Sequence, residues 1–181
     1  MFFLMVGPSG AGKDTLIDGA RRALAGDPRW VFTTRVITRP ADAGGEHHLA
    51  MSEAGFSAAE GAGEFLITWS AHGFRYGLPK ALAADIGAGR HVIANGSRAT
   101  IAQLARRVPR LTVVVVSAPS DALKDRIAGR ARESGDTVAT RLGRRVDLVL
   151  PEDVGRVNVV NDGTVDEGVA RFVAAIVAAV P

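Results

Sequence analysis

Gly7, Pro8, Ser9, Gly10, Ala11, Gly12 and Lys13 have the types and spacing of a phosphate cradle. They fit the pattern G-x-x-x-x-G-K-[ST] up to its last position, where Asp14 stands. Glycines let successive backbone N–H groups point into one hollow, and a helix starting there aims the positive end of its dipole at the same place. Lys13 adds a mobile cation for the β- and γ-phosphates of a nucleotide. Asp14, in place of the usual hydroxyl, has two readings. It is a hard oxygen ligand for Mg²⁺ that brings negative charge close to a triphosphate, or it simply favours the first turn of its helix. A shift of one residue lets Thr15 supply the hydroxyl instead.

Arginines are the second signal. Arg35, Arg39, Arg75 and Arg98 form one group along the chain, and Arg126, Arg130, Arg132, Arg141, Arg144 and Arg145 form another around Glu133–Asp136. A planar, permanently charged fork suits phosphate oxygens. The two groups suggest two jobs: holding an acceptor phosphate and closing over a donor nucleotide. No general base stands out, because the strand His91–Asn95 ends in asparagine and no H-R-D motif occurs. Transfer to a hydroxyl usually needs a carboxylate to take the proton. Transfer to a phosphate does not, since that oxygen is already an anion at neutral pH. The pattern therefore leans towards a phosphorylated acceptor. His47 and His48 lack a nearby metal-ligand set and suit contacts to acceptor hydroxyls or phosphate. Tyr76 can donate its O–H to an acceptor phosphate or merely pack. Trp30 and Trp69 read as core.

These groups need a scaffold that brings them together. Phe2–Val6 reads as a buried strand, and Lys13–Ala25 as a helix ended by Gly26-Asp27-Pro28. Trp30–Ile37 reads as one strand with Arg35 facing outward. Ala41–Gly63 is small, polar and glycine-rich, and looks like an inserted lobe. Phe65–Trp69 reads as a strand and Phe74–Pro79 as a loop. Helix Lys80–Ala88, strand His91–Asn95, helix Ala99–Arg107 and strand Leu111–Ser117 restore regular alternation. Helical pieces over Ser120–Arg132 and Val138–Val146, strand Val157–Val160 and helix Val165–Val180 complete it. Solid Val/Ile runs alternating with helices predict a five-stranded parallel sheet with helices on both faces. Ligands in such sheets sit at the carboxyl ends of the strands. Those ends carry Gly7, Arg39, Asn95-Gly96-Ser97-Arg98 and Asn161-Asp162.

The 181 residues suffice for one domain with a real core. There is no cysteine, which removes disulfides, a thiolate nucleophile and Cys-based zinc, and fits a cytoplasmic setting. The start is not expected to be a signal peptide, because its apolar run is short and no basic segment precedes it. Val173–Val180 is too short to span a bilayer. The net charge of +3 comes from arginines spread without aromatic interleaving, so no nucleic-acid or membrane partner is expected.

Gly7–Lys13, Thr38-Arg39-Pro40, Gly45-Glu46, Phe65-Leu66, Tyr76-Gly77 and Arg130 together resemble the guanylate kinase superfamily of P-loop kinases, in order and rough spacing over nearly the whole chain. The resemblance implies a core (1–38, 80–127 and 142–181), an acceptor lobe (39–79) and an arginine-bearing lid (128–141). The departures matter. Ile67 stands where those enzymes carry a guanine-reading glutamate, His48 stands for an acceptor tyrosine, and the strand ending at Asn95 lacks their aspartates. A site without those polar partners should reject GMP. Gly12-Lys13-Asp14, Ile37-Thr38-Arg39, Glu46-His47-His48, Trp69-Ser70-Ala71-His72-Gly73, Tyr76-Gly77 and Asn95–Arg98 resemble one branch, the ribose 1,5-bisphosphate phosphokinases of phosphonate utilisation. That branch transfers the γ-phosphate of ATP to a sugar bisphosphate that has no base to read. By this resemblance Lys13, Arg130 and Arg141 are expected to be catalytic. Gly7–Thr15, Arg126, Arg130 and Asn161 hold ATP, with Asp14 or Thr15 on Mg²⁺. Arg35, Arg39, Glu46, His48, Tyr76, Asn95, Ser97 and Arg98 are expected to bind the acceptor. A nucleoside monophosphate kinase and a non-catalytic binding domain of the same shape are the alternatives.

Overall fold

The computed structural model describes residues 1–41, 47–119 and 148–181. The expected lid (128–141) and residues Glu46, Arg126, Arg130 and Arg141 lie outside them.

Strand β1 (Phe2–Val6) is buried throughout. Its alternate side chains enter two separate cores: Phe2, Leu4 and Val6 on one face, Phe3 and Met5 on the other. Apolar residues at every position are what a strand covered on both sides requires. It lies centrally in a five-stranded parallel sheet, between β7 (His91–Asn95) and β8 (Leu111–Ser117), with β2 (Trp30–Phe32) beyond β7 and β9 (Gly155–Val160) beyond β8. Helices α1 (Lys13–Ala23) and α5 (Val165–Ala178) cover one face through Leu16, Ile17, Ala20, Phe172 and Ile176. Helices α3 (Leu82–Gly87) and α4 (Ile101–Ala105) cover the other through Leu82, Ile101 and Leu104. Among the described residues no helix is long and apolar enough to cross a membrane.

The segment expected as one strand, Trp30–Ile37, divides between two sheets. β2 ends at Phe32, and Val36–Ile37 (β3) belongs to a second, four-stranded sheet that starts ahead of the expected lobe boundary at 39. That sheet runs β4 (Leu49–Ala50), β3, β6 (Phe74–Pro79), β5 (Phe65–Ala71). Phe74–Pro79 is thus a strand, not the expected loop. It pairs antiparallel with both β3 and β5. Its glycine has a packing reason: a Cβ on Gly77 would stand 2.6 Å from the Phe65 ring. Helix α2 (Glu53–Gly61), capped by Ser52 Oγ accepting the Gly55 N–H, backs the sheet by stacking Phe56 on Phe65. Leu66, Ile67 and Leu78 join the same core as Leu4 and Ala94, so the lobe is tied to the main sheet by shared apolar burial.

Helix α5 opens on a capping box. Thr164 Oγ1 accepts the Glu167 N–H, and the Glu167 carboxylate accepts the Thr164 N–H and hydroxyl. These bonds hold the Glu167 carboxyl below its ordinary range. Thr164→Ala is expected to lower the unfolding free energy by about 1 kcal/mol in urea titration at neutral pH. A depressed carboxylate pKa stabilises the fold above the ordinary carboxylate range and ceases to do so as pH falls through the folded value. The gap between wild type and variant should therefore narrow in acid.

Candidate active site

The turn from β1 to α1 makes the cradle. Gly7 packs against β8 so closely that a Cβ there would stand 2.2 Å from the Val116 carbonyl oxygen. Gly12 caps α1 in the left-handed region, at φ 86°. The first turn of α1 leaves N–H groups without intrahelical partners at the loop mouth. Lys13 Nζ donates to the Gly7 and Pro8 carbonyls at 3.0 and 2.9 Å, so the ammonium lies across the loop. Ala11 is buried beneath it and its carbonyl accepts the Asn161 Nδ2–H at 2.9 Å. Asn161, expected among the residues that hold ATP, is itself buried and directs its amide nitrogen at the loop backbone.

Asp14 is where the distant parts meet. Asn95, at the carboxyl end of β7, donates Nδ2–H to Asp14 Oδ1 at 2.7 Å. Arg35 Nη2 lies 3.9 Å from the same oxygen. Arg35 was expected to face outward; instead its side chain is only 13% exposed. The reason is the break after β2, which turns the chain across the strand ends before β3 begins. Burial pushes the Arg35 guanidinium below its ordinary range, while the Asp14 charge and Tyr76 oppose that shift and Arg39 adds to it. Arg35 also lies over the Tyr76 ring, 5.6 Å from its centre. Tyr76 is buried and stacks on Trp69, with ring centres 5.3 Å apart and planes 10° from parallel. Trp69, expected as core, packs against the apolar cluster that holds Ile67, two positions earlier on the same strand face.

Asp14, Arg35 and Asn95 line a cavity of about 30 Å³, shared with Thr33, Thr34 and His47. A wider groove of about 340 Å³ lies beside Arg39 and the start of α2 at Ser52 and Glu53. Arg39 is held by buried His48. His48 Nε2 lies 3.1 Å from the Arg39 carbonyl and Nδ1 lies 3.4 Å from Arg39 Nη2. One neutral tautomer, protonated on Nε2, satisfies both contacts. Ser97 Oγ accepts the Ala99 N–H and caps the 3₁₀ turn Arg98–Thr100. Neither Ser97 nor Arg98 lines the Asp14 cavity.

The Asp14 carboxylate, in the first turn of α1, suits Mg²⁺, which keeps several waters and takes one or two carboxylates alongside phosphate oxygens. Asp14 is 34% exposed and meets that requirement. Thr15 is exposed and does not line the cavity. Among the described residues no three His, Asp or Glu side chains gather into a metal cage.

No protein-family model matches the chain. Solved structures give the fold: a guanylate kinase from Anaplasma phagocytophilum superposes with a TM-score of 0.61 over 99% of this chain and 85% of that one, at 18% identity. A sugar kinase from Janibacter sp. HTCC2649 gives 0.54 at 15% identity, over 97% and 94%. The fold is thus an α/β P-loop kinase fold. Among curated proteins, the bifunctional ribose 1,5-bisphosphokinase-thymidine phosphorylase of Cupriavidus pinatubonensis is 55% identical over 97% of this chain. The chain spans 29% of that protein's length. The ribose 1,5-bisphosphate phosphokinase PhnN of Brucella melitensis is 46% identical over 86% of this chain and 85% of its own. A match of that strength along both sequences, on a guanylate kinase-like fold, places this chain in the ribose 1,5-bisphosphate phosphokinase family.

Proposed function

We propose that the chain transfers the γ-phosphoryl group of ATP to α-D-ribose 1,5-bisphosphate, giving 5-phospho-α-D-ribose 1-diphosphate and ADP. The observation that carries this reading is the 46% identity to the Brucella enzyme over 85% of that enzyme. The site is consistent with it. Lys13 and the loop amides take the β- and γ-phosphates of ATP. Mg²⁺ held by Asp14, when bound, neutralises charge on the donor phosphates. Arg35 and Arg39 take the acceptor's phosphates. An oxygen of the C1 phosphate attacks the γ-phosphorus, the bond to the β–γ bridging oxygen breaks, and ADP leaves with its charge. The attacking oxygen is already ionised, so no side chain needs to remove a proton. Positioning and charge neutralisation then supply most of the acceleration. Arg130 and Arg141 are proposed to add positive charge over the transferring group, with Arg126 at the nucleotide and Glu46 at the acceptor. ATP as donor suits a cytoplasmic setting.

A nucleoside monophosphate kinase is the second reading, favoured by the fold match to guanylate kinase. One feature opposes it: Ile67 is 1% exposed inside an apolar cluster, so it offers a base edge no polar partner. The test is ³¹P NMR of products from ATP, Mg²⁺ and ribose 1,5-bisphosphate, run beside coupled assays with GMP and AMP. A new diphosphate doublet with the sugar bisphosphate, and turnover of GMP and AMP lower by at least about 100-fold, is expected. Comparable turnover of GMP would overturn the proposal.

A further inference from the structure

Asn95 has a feature that phosphate binding does not use. It is only 6% exposed, and its Oδ1 is buried with no hydrogen-bond partner among the described residues. Native proteins rarely leave a buried acceptor unpaired without a functional reason. The direction of the amide is settled by chemistry. Nδ2 faces Asp14 Oδ1 at 2.7 Å, and the reversed amide would set two acceptors against each other. Asp14 therefore acts as a clamp that leaves the Asn95 carbonyl for something else.

The surroundings say what that is. Asn95 lines the 30 Å³ cavity with Asp14, Asp18, Arg21, Arg35, Thr33 and Thr34. That volume has room for a water-sized group such as a hydroxyl. The Asp14 carboxylate already takes the Asn95 amide nitrogen, so what remains is an acceptor, and its complement must donate a hydrogen bond. The position is the carboxyl end of a central parallel strand, where this class of sheet holds its ligands. We propose that Asn95 Oδ1 accepts a hydrogen bond from a ribose hydroxyl of the acceptor. Asn95 is then a specificity-determining residue that orients the sugar, with its hydroxyl edge on β7 and its phosphates towards Arg35 and Arg39. This rests on the proposed acceptor and deepens it. It replaces a general expectation of acceptor contact with one atom and one type of donor.

Two other sources of an O–H are a trapped water and a water on a bound cation, and the test separates them. Isothermal titration in EDTA, without nucleotide, measures Kd for ribose 1,5-bisphosphate and for its 2-deoxy and 3-deoxy analogues. One deoxy analogue should bind the wild type about tenfold more weakly, and Asn95→Leu should bind both analogues and the parent alike. Asn95→Ala, checked by circular dichroism, serves if the leucine variant does not fold. Manganese binding in the presence of ADP, followed by electron paramagnetic resonance, should be the same in wild type and variant. Equal Kd values for parent and both analogues on the wild type would overturn the inference, leaving the oxygen to a trapped water. So would equal sugar binding with manganese binding weakened tenfold in the variant, which assigns the oxygen to a cation's water. Failure of the wild type to bind ribose 1,5-bisphosphate at all would instead bring down the proposed acceptor, and this inference with it.

Discussion

Lys13→Ala is expected to lower kcat for ADP release with ATP and ribose 1,5-bisphosphate by about 10³-fold or more, with little change in thermal midpoint. The size follows from what the ammonium replaces. It is a full positive charge fixed on the loop itself, and a preorganised charge on a transferring phosphoryl group costs no reorganisation during reaction. The small effect on stability follows from the half-buried position of its head, which donates to the Gly7 and Pro8 carbonyls of the loop and is not part of either apolar core. Isothermal titration with ATP should show weakened binding in parallel. A loss below tenfold would mean that the cradle does not face the donor.

Arg35→Leu is expected to lower kcat/KM for the sugar bisphosphate by about 100-fold, chiefly through KM, with KM for ATP altered less than about threefold. The argument is electrostatic. Arg35 is a largely buried cation 3.9 Å from the Asp14 carboxylate, at the strand ends where this class of sheet holds its ligands. A planar cation held there attracts an anionic ligand more strongly than the same group in open water. The leucine variant loses that attraction and leaves the Asp14 carboxylate facing the incoming phosphates. Arg35→Lys should recover little, because a lysine head cannot lie flat over Tyr76 while presenting a planar fork. If KM for ATP rises and KM for the acceptor does not, Arg35 serves the donor instead.

The elements that the sequence made legible are those built from uniform runs. Phe2–Val6 and Leu111–Ser117 are apolar at almost every position, and only a strand covered on both sides uses residues that way. The phosphate loop was legible because its chemistry is local: each residue acts within a few positions of the next. The second sheet was not. β3 and β4 are two residues long, too short for any period to show. Gly77 and Pro79 made β6 look like a turn, although the glycine is there to admit the Phe65 ring. The hairpin signal was present in His72-Gly73, where both residues have positive φ, at 52° and 76°. The centre of the site was the least legible part. Asn95 meets Asp14 across 81 positions and Asn161 meets Ala11 across 150, and no spacing rule reaches that far.

The crossing from β2 to β3 is only Thr33, Thr34 and Arg35. Its amino end is anchored to the main sheet by the Thr33 N–H on the Ile93 carbonyl, and its far end enters the lobe at Val36. A tether that short has no slack, since each residue spans at most about 3.5 Å. Any tilt of one sheet against the other is therefore felt first at Arg35, the last residue of the tether. The fold has put a buried charge on the short segment that joins the two sheets, so the position of Arg35 is set by both of them at once.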